Sequence, residues 1–333
     1  MKFQVVTMTL LTALLVACGS NQIEQPEEYR LLNVVTTVSP ITSIVENIGG
    51  KRILVRGIVP EGANSHTFDP PPSTARVLAD ADLFIANGLY LEEPAIEMFN
   101  ANHGDGARAV LLGELAIAPE EWQFDFSFPE ANGQPNPHLW PDPILALKYA
   151  GIVRDALTTS DPNGATYYGA NYEEFRLRIE TLDAAIKTAV ATVPEAQRRL
   201  LTYHDSWAYF ARRYGFEVLG AVQPADFTEP SPRDMADLIV QVRDLGVPAI
   251  FGSEVFPSPV MEQIASESGA VFIDQLADDD LPGDPGDAGH SYLGLMTKNM
   301  VTMVRALGGD ASALGAVDSS LVFDGQSHAE YPG

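Results

Sequence analysis

Residues 31–58, LLNVVTTVSPITSIVENIGGKRILVRGI, contain two short apolar strands with a helix between them. The strands are LLNVVTT at 31–37 and RILVRGI at 52–58, and the helix follows Pro40. Short β-rich runs that alternate with helical segments are typical of a parallel, doubly wound sheet with helices on its faces. A third strand of this kind, DLFIAN at 82–87, continues the alternation. The first part of the chain is therefore predicted to be of the α/β class.

A long helical pattern follows from Ala165 to about Val193, without Gly or Pro after Gly169. About 25 helical residues would extend roughly 38 Å, enough to run the height of the molecule. We expect one face of this helix to be buried, because its apolar residues recur mostly at spacings of three and four. These residues are Leu177, Ile179, Leu182, Ala185 and Ile186. Short strands and helices then alternate again up to Leu307, which predicts a second α/β lobe.

The N-terminus has the features of an export signal. Residues 1–17 contain Lys2 and then an apolar run, which suits a signal-peptide core and is too short to span a bilayer. The run ends LVACG, with the only cysteine, Cys18, directly after small residues. This sequence resembles the lipobox of bacterial lipoproteins, in which the cysteine becomes the first residue and carries a diacylglycerol. An ordinary secretory signal with an incidental cysteine is the alternative.

The predicted organisation has six parts. They are a lipoprotein signal peptide at 1–17, a polar tether at 18–30, an N-terminal α/β lobe at 31–160, an interlobe helix at 161–193, a C-terminal α/β lobe at 194–307 and a tail at 308–333. Residues 118–137 are acidic, aromatic and rich in Pro, which predicts a long surface loop. We expect the Gly-, Asp- and Ser-rich tail to be loose.

Charge and motif content exclude several classes of function. The chain of 333 residues carries 20 basic and 45 acidic residues, a formal net charge of −25. Such a surface repels phosphate backbones, which argues against nucleic-acid binding. With a single cysteine, an internal disulfide and a cysteine-based zinc cluster are both impossible. The sequence contains no His-Glu-x-x-His, no Gly-x-Ser-x-Gly and no phosphate-binding Gly-rich loop, so these enzyme and nucleotide-binding signatures are missing.

Three of the six histidines follow predicted strands or lie in loops that lead into helices. His66 lies in GANSHTFDP, His138 lies in NPHLWPDP, and His204 directly follows the strand LLTY. Asp274 directly follows the strand VFI. In open parallel sheets, ligand sites collect beyond the carboxyl ends of the strands. Three imidazoles and one carboxylate would fill a tetrahedral zinc site and leave little room for a catalytic water, so such a site binds rather than catalyses.

Several segments resemble, in order, those of the zinc and manganese solute-binding lipoproteins of ABC importers, the ZnuA and TroA types. They cover about residues 32–307 and are PEGANSHTFDPPP, DLFIANGLYLE, NPHLWPDP, YHDSWAYFARRYGF, SPRDMADLIVQVRDLGVPAIFGSEV, and VFIDQL followed by SYLGLMTKN. The resemblance implies two Rossmann-like lobes joined by one long rigid helix, and delivery of metal to a membrane permease. The metal ligands that it implies are His66, His138, His204 and Asp274. The residues that it places behind the ligands are Asn64, Asn136, Asp205 and Glu254.

The sequence departs from the family pattern at two places. Asn136 stands where the family usually has Asp, so we expect a weaker acceptor for orienting His138. The His-rich loop of many zinc-binding members is absent, because residues 114–137 contain no His. A histidine at position 204, where manganese and iron members often have Glu, raises the number of nitrogen ligands and favours zinc. Manganese stays the alternative, since family members with three His and one Asp are reported for both metals.

We therefore expect a monomeric, extracytoplasmic metal-binding protein that is not an enzyme. It would be lipid-anchored to a bacterial membrane, in the periplasm or at the cell surface, and would serve an ABC importer permease. One alternative is an adhesin-like surface lipoprotein that retains the site. Another is a zinc hydrolase with Glu254 or Asp205 as general base. Three other acids close to Asp274, at 278–280, are alternative carboxylate ligands. We interpret the remaining histidines as ordinary polar residues; they are His103, His290 and His328.

Overall fold

The first half of the chain forms a four-stranded parallel sheet in the order β2-β1-β3-β4. The computed structural model describes residues 30–223, 229–253, 255, 259–274, 276–323 and 327–330. The strands are β1 (Leu32–Thr36), β2 (Ile53–Gly57), β3 (Leu83–Ala86) and β4 (Arg108–Leu111). The helices of this half are α1 (Ser39–Gly49), α2 (Thr74–Ala79), α3 (Glu93–Asn102), α4 (Leu112–Ala116) and α5 (Pro143–Ser160). Every residue of β3 is buried, as in a central strand of a sheet that is covered on both faces.

The second half repeats this architecture, with a four-stranded parallel sheet in the order β6-β5-β7-β8. Its strands are β5 (Arg199–Thr202), β6 (Glu217–Ala221), β7 (Ala249–Phe251) and β8 (Val271–Ile273). Its helices are α7 (Ala208–Tyr214), α8 (Pro232–Leu245), α9 (Pro259–Ser268) and α10 (Tyr292–Ala306). The two sheets have the same strand order along the chain, so the predicted pair of α/β lobes is confirmed.

The helix between the two sheets, α6, spans Ala165–Thr192, a length of 28 residues. It packs against α1 and α5 of the first half and against α10 of the second. The predicted buried stripe is present at Ile179, Leu182 and Ile186, but Leu177 is 50% exposed and was wrongly included. Leu177 is two residues from Ile179, which is about 200° around the helix axis, so the two side chains lie on different faces. The predicted domain boundaries stay a prediction.

Two segments are more ordered than the sequence indicated. Residues 118–137 contain two short 3-10 turns and bury Ser127, Phe128 and Asn136, so they are not purely a surface loop. The tail is not loose where it is described. Its segment 327–330 donates three hydrogen bonds to the buried carboxylate of Glu46, one from a hydroxyl and two from backbone N–H groups. It also adds a parallel bridge to the edge of β2.

Within the ranges that the structure describes, none of the helices combines the length and the apolar character that crossing a membrane requires.

Candidate metal centre

Three imidazole rings meet where the two halves of the chain come together. His66 lies in the loop that follows β2, His138 lies just before α5, and His204 follows β5. The Nε2 atom of His66 is 3.1 Å from Nε2 of His138 and 3.0 Å from Nε2 of His204. Ligand nitrogens about 2.0–2.1 Å from one tetrahedral ion lie about 3.3 Å apart. The three nitrogens are therefore nearly at the spacing of ligands to one ion, and small ring movements would complete it.

Two of the histidine loops have the same local structure. The side-chain oxygen of Asn64 accepts the backbone N–H of His66 at 2.9 Å, and that of Asn136 accepts the backbone N–H of His138 at 2.9 Å. In each case an Asn two residues ahead of a His closes an Asx turn, which fixes the direction in which the His side chain leaves the backbone. The Asn-x-His spacing is thus what aims these two rings.

Asn136 also orients the His138 ring. Its oxygen lies 2.7 Å from Nδ1 of His138. Its NH2 group donates to the carboxylate of Asp125 at 2.8 Å and to the backbone carbonyl of Asp205 at 2.7 Å. Because both amide hydrogens face oxygens, the side chain has only one favourable orientation. Nδ1 of His138 must then carry the proton. Nε2 is left unprotonated, with its lone pair pointing at the other rings.

The loop after β3 supports His138 from the other side. The Asn87 side chain donates to the carbonyl of Pro137 at 2.9 Å and accepts from the Tyr149 hydroxyl at 2.7 Å. The Glu92 carboxylate accepts the backbone N–H groups of Asn87 and Gly88, each at 3.0 Å. Burial raises the pKa of Glu92 to about 7, although these hydrogen bonds oppose the shift. The segment DLFIANGLYLE therefore fixes the backbone next to His138, a role that its residue types did not reveal.

The third ring, His204, is held by a carboxylate. Nδ1 of His204 is 2.7 Å from the side-chain oxygen of Asp278, and both side chains are buried. The same oxygen accepts the Ser206 hydroxyl, and the backbone carbonyl of Asp278 accepts the indole N–H of Trp140 at 2.8 Å. Burial lowers the pKa of His204, but the Asp278 charge and hydrogen bond outweigh it and raise the pKa to about 9.

The other two imidazoles are shifted in the opposite direction. Burial lowers the pKa of His66 and of His138 well below the usual value, and the positive charge of His204 adds to this. Both rings therefore stay neutral near pH 7 and keep a lone pair available, which is the form that binds a metal.

The predicted fourth ligand is not in this group. Asp274 directly follows β8, as expected, but its side chain is exposed. The carboxylates that lie beside His204 are those of Asp278 and Asp279, both buried. Asp279 is anchored to the first half of the chain, because its side chain accepts the Ser65 hydroxyl at 2.9 Å. In this arrangement the chain runs past the end of the strand before it turns back to the histidines, and the assignment of Asp274 as a ligand stays a prediction.

Among the predicted supporting residues, Asn64 and Asn136 have the contacts given above, and Glu254 lies outside the described residues. The Asp205 carboxylate accepts the backbone N–H of Ser127 at 2.8 Å. Burial and the nearby charge of Asp205 raise the pKa of Asp125 to about 9, so the two carboxyl groups share a proton near neutral pH. Ser127 and Asp125 belong to the acidic segment, whose contribution to the site the sequence did not indicate.

A cavity of about 210 Å³ opens next to His66 and is lined in part by Tyr90 and Phe128. Leu89 and Tyr90 have positive φ angles of 51° and 69°, which side-chain-bearing residues rarely adopt. The carboxylate of Glu114 accepts the backbone N–H of Leu89 at 2.9 Å and helps to hold this turn. The cavity gives His66 a route to solvent.

Fold and site together define a class: a two-lobed, parallel α/β binding protein with a buried, nitrogen-rich metal centre where its halves meet. The chain belongs to the family described as zinc-uptake complex component A, periplasmic, whose family model matches residues 34–306. The predicted resemblance and fold are confirmed. The chain is the metal-binding component of an ABC importer, and not an enzyme, so the hydrolase alternative falls.

The similar proteins are named for different metals. The chain is 30% identical to the manganese-binding lipoprotein MntA of Halalkalibacterium halodurans, over 92% of this chain and 97% of that protein. It is 26% identical to the iron-binding protein YfeA of Yersinia pestis, over 92% and 95%. Its structure is similar to that of the periplasmic zinc-binding protein TroA of Treponema pallidum, with a TM-score of 0.76 and 28% identity, over 83% of this chain and 99% of that chain.

Proposed function

We propose that the chain captures one divalent transition metal ion, with zinc favoured, through Nε2 of His66, His138 and His204 and a carboxylate oxygen of Asp279. The observation that carries the proposal is that Nε2 of His66 lies 3.1 Å from Nε2 of His138 and 3.0 Å from Nε2 of His204, with all three within ligand-sharing distance of one another. Once the His204 proton is displaced, the three imidazoles together with a buried carboxylate would form a closed set of four ligands, which holds an ion and leaves no position for a reacting water.

The donor set favours zinc over manganese. Three nitrogen donors and one oxygen suit a borderline-soft ion, whereas manganese prefers oxygen-rich sites. The names of the relatives do not decide the matter, because they include manganese, iron and zinc. Manganese therefore remains the alternative cargo.

Binding would connect the two halves of the chain. His66 and His138 come from the first half, and His204 and Asp279 come from the second. Each half alone supplies two ligands, so neither retains a complete site when the halves separate. Release to a permease would then require the halves to part, which exposes the ion to water and to competing ligands.

We further propose that Cys18 carries the lipid anchor and that the monomeric protein works on the outer face of a bacterial membrane beside its permease. The support is the LVACG sequence at the end of an apolar run of signal-peptide length. Substituting Cys18→Ala should release the protein from the membrane fraction. A variant that remains in the membrane fraction would contradict the anchor.

The ligand assignment is tested by comparing Asp279→Ala with Asp274→Ala. Losing an outer partner of a ligand typically lowers metal affinity about 10–100-fold, so losing Asp279 itself should lower zinc affinity by more than about 100-fold. Asp274→Ala is the matched control, because it removes an exposed carboxylate from the same loop between β8 and α10. This variant should bind zinc as tightly as the wild type does. Calorimetry with a competing chelator measures both. The reverse result would restore Asp274 as the ligand.

His138→Ala tests the proposed function itself. It should abolish tight binding of zinc and of manganese while leaving the far-ultraviolet circular dichroism unchanged. Tight binding with unchanged stoichiometry in this variant would overturn the proposal.

A further inference from the structure

A second polar cluster lies between the loop after β2 and the loop before α10. The side chain of His290 is 1% exposed, and neither of its ring nitrogens has a hydrogen-bond partner among the described residues. The sequence indicated an ordinary polar histidine here. A buried imidazole without a partner is unfavourable, because its polar atoms lose water and gain nothing in exchange.

A carboxylate faces this ring. Oε1 of Glu61 is 3.7 Å from Nε2 of His290, which is too long for a hydrogen bond. Two ligand atoms about 2.1 Å from one ion, at a tetrahedral or wider angle, lie about 3.4–3.8 Å apart. The separation therefore fits two ligands that share an ion better than it fits a direct contact.

Further carboxylates surround the pair. The Asp280 side chain accepts the backbone N–H of Gly62, the residue after Glu61, at 2.7 Å. Asp284 is also near, because its negative charge helps burial to raise the pKa of Glu61. A backbone bond from His290 N–H to the Asp287 carbonyl, at 3.0 Å, holds the histidine loop in place. The cluster thus combines concentrated negative charge with a buried nitrogen donor, and a cation would stabilise both.

We propose an accessory divalent-cation site in which His290 Nε2 and the Glu61 carboxylate are the two protein ligands, with water completing the shell. It uses none of the four ligands proposed for the cargo ion. Glu61 follows a strand of the first sheet, and His290 follows the last strand of the second. An ion held there would therefore tie the two lobes together at a second point and favour their closed arrangement.

The accessory site should bind more weakly than the main centre. It has two protein ligands, one of which is partly exposed, whereas the main centre is proposed to have four. We expect its zinc affinity to be lower by about two orders of magnitude or more.

Titration of the mature full chain with Zn²⁺ alone, followed by calorimetry, tests the proposal. The wild type should bind two ions, one tightly and one weakly. His290→Ala and Glu61→Gln should each lose the weak event and keep the tight one. His103→Ala is the matched control, since it removes an exposed histidine elsewhere, and it should keep both events. Glu61 is 31% exposed, so Glu61→Gln keeps the test valid if His290→Ala fails to fold.

Three results would overturn the accessory site. They are binding of a single ion by the wild type, a weak binding event that survives in both His290→Ala and Glu61→Gln, and loss of the weak event in His138→Ala. In His138→Ala we expect the tight event to vanish and the weak one to remain. Persistence of the tight event in that variant would refute the main centre and leave the accessory site standing, so the two proposals fail separately.

Discussion

The contact between His204 and Asp278 predicts an unusual pH dependence of metal binding. With its pKa raised to about 9, the His204 ring is about 97% protonated at pH 7.5 in the absence of metal. A metal ion must displace that proton, which lowers the apparent affinity about 30-fold at pH 7.5 and about 300-fold at pH 6.5. His66 and His138 add little, since their pKa values are lowered. Asp279, with its pKa raised to about 7, adds a further factor of about 1.3 at pH 7.5 and about 4 at pH 6.5. Zinc binding at pH 7.5 should therefore release slightly more than one proton per ion.

Asp278→Asn separates the two effects of this carboxylate. The amide cannot hold the proton on His204, so the pKa of that ring should fall and the proton competition should largely disappear above pH 7. The variant should also lose about 10–100-fold in intrinsic affinity, as is typical when a ligand loses its outer partner. Together these changes leave the variant about 3–25-fold weaker than the wild type at pH 8.5, similar at pH 7.5, and equal or tighter at pH 6.5.

The assay is competition with a chelator of known zinc affinity at pH 6.5, 7.5 and 8.5. Proton release is measured by calorimetry in buffers of different ionisation enthalpy. Asp274→Asn is the control, since its exposed carboxylate should leave both the slope and the affinity unchanged. Equal pH slopes for the wild type and Asp278→Asn would refute the assignment of the proton to His204.

Three further outcomes are expected. Asn136→Ala should lower zinc affinity about 10–100-fold by freeing the His138 ring, with unchanged affinity as the contrary result. Deleting residues 324–333 removes the hydrogen-bond donors to Glu46, which is 2% exposed. The deletion should lower the free energy of unfolding, measured by urea titration, by about 1–3 kcal/mol. An unchanged unfolding midpoint would contradict this. The metal-free protein should lose stability between pH 6.5 and 9, because the folded state raises the pKa of both His204 and Asp125 to about 9. For such groups the stabilisation is present below the unfolded pKa and is lost as the pH rises through the folded pKa, so a melting temperature that rises over this range would exclude the shifts.

The parts of the molecule that the sequence predicted are those governed by local rules. Alternation of apolar strands and helical segments identified both sheets, because a strand buried on both faces needs an unbroken apolar run. The loops of His66 and His138 were identified by their resemblance to the family's segments, and each contains an Asn two residues before the His. That spacing closes its own turn, so its geometry does not depend on distant contacts.

The buried acids beside His204 could not be predicted in the same way. Asp274 satisfies the local rule, since it follows a strand, yet its side chain is exposed. The buried acids farther along are placed by contacts with remote segments: Asp278 with Trp140, and Asp279 with Ser39 and Ser65. Nothing in the spacing of the acids at 278–280 encodes those partners. The tail was predicted to be loose for the same reason. The contact that orders it, with Glu46, joins residues almost 300 positions apart in the chain.

The charges around His204 explain how such a site remains intact between one cargo ion and the next. Buried carboxylates without a cation are strongly unfavourable, and Asp278 and Asp279 are adjacent. Burial and the charge of Asp278 raise the pKa of Asp279 to about 7, whereas the positive His204 ring lowers it. The proton on His204 thus supplies one of the two positive charges that the metal supplies when bound. Partial protonation of Asp279 near pH 7 makes up part of the difference, so the buried carboxylates stay largely compensated after the ion leaves.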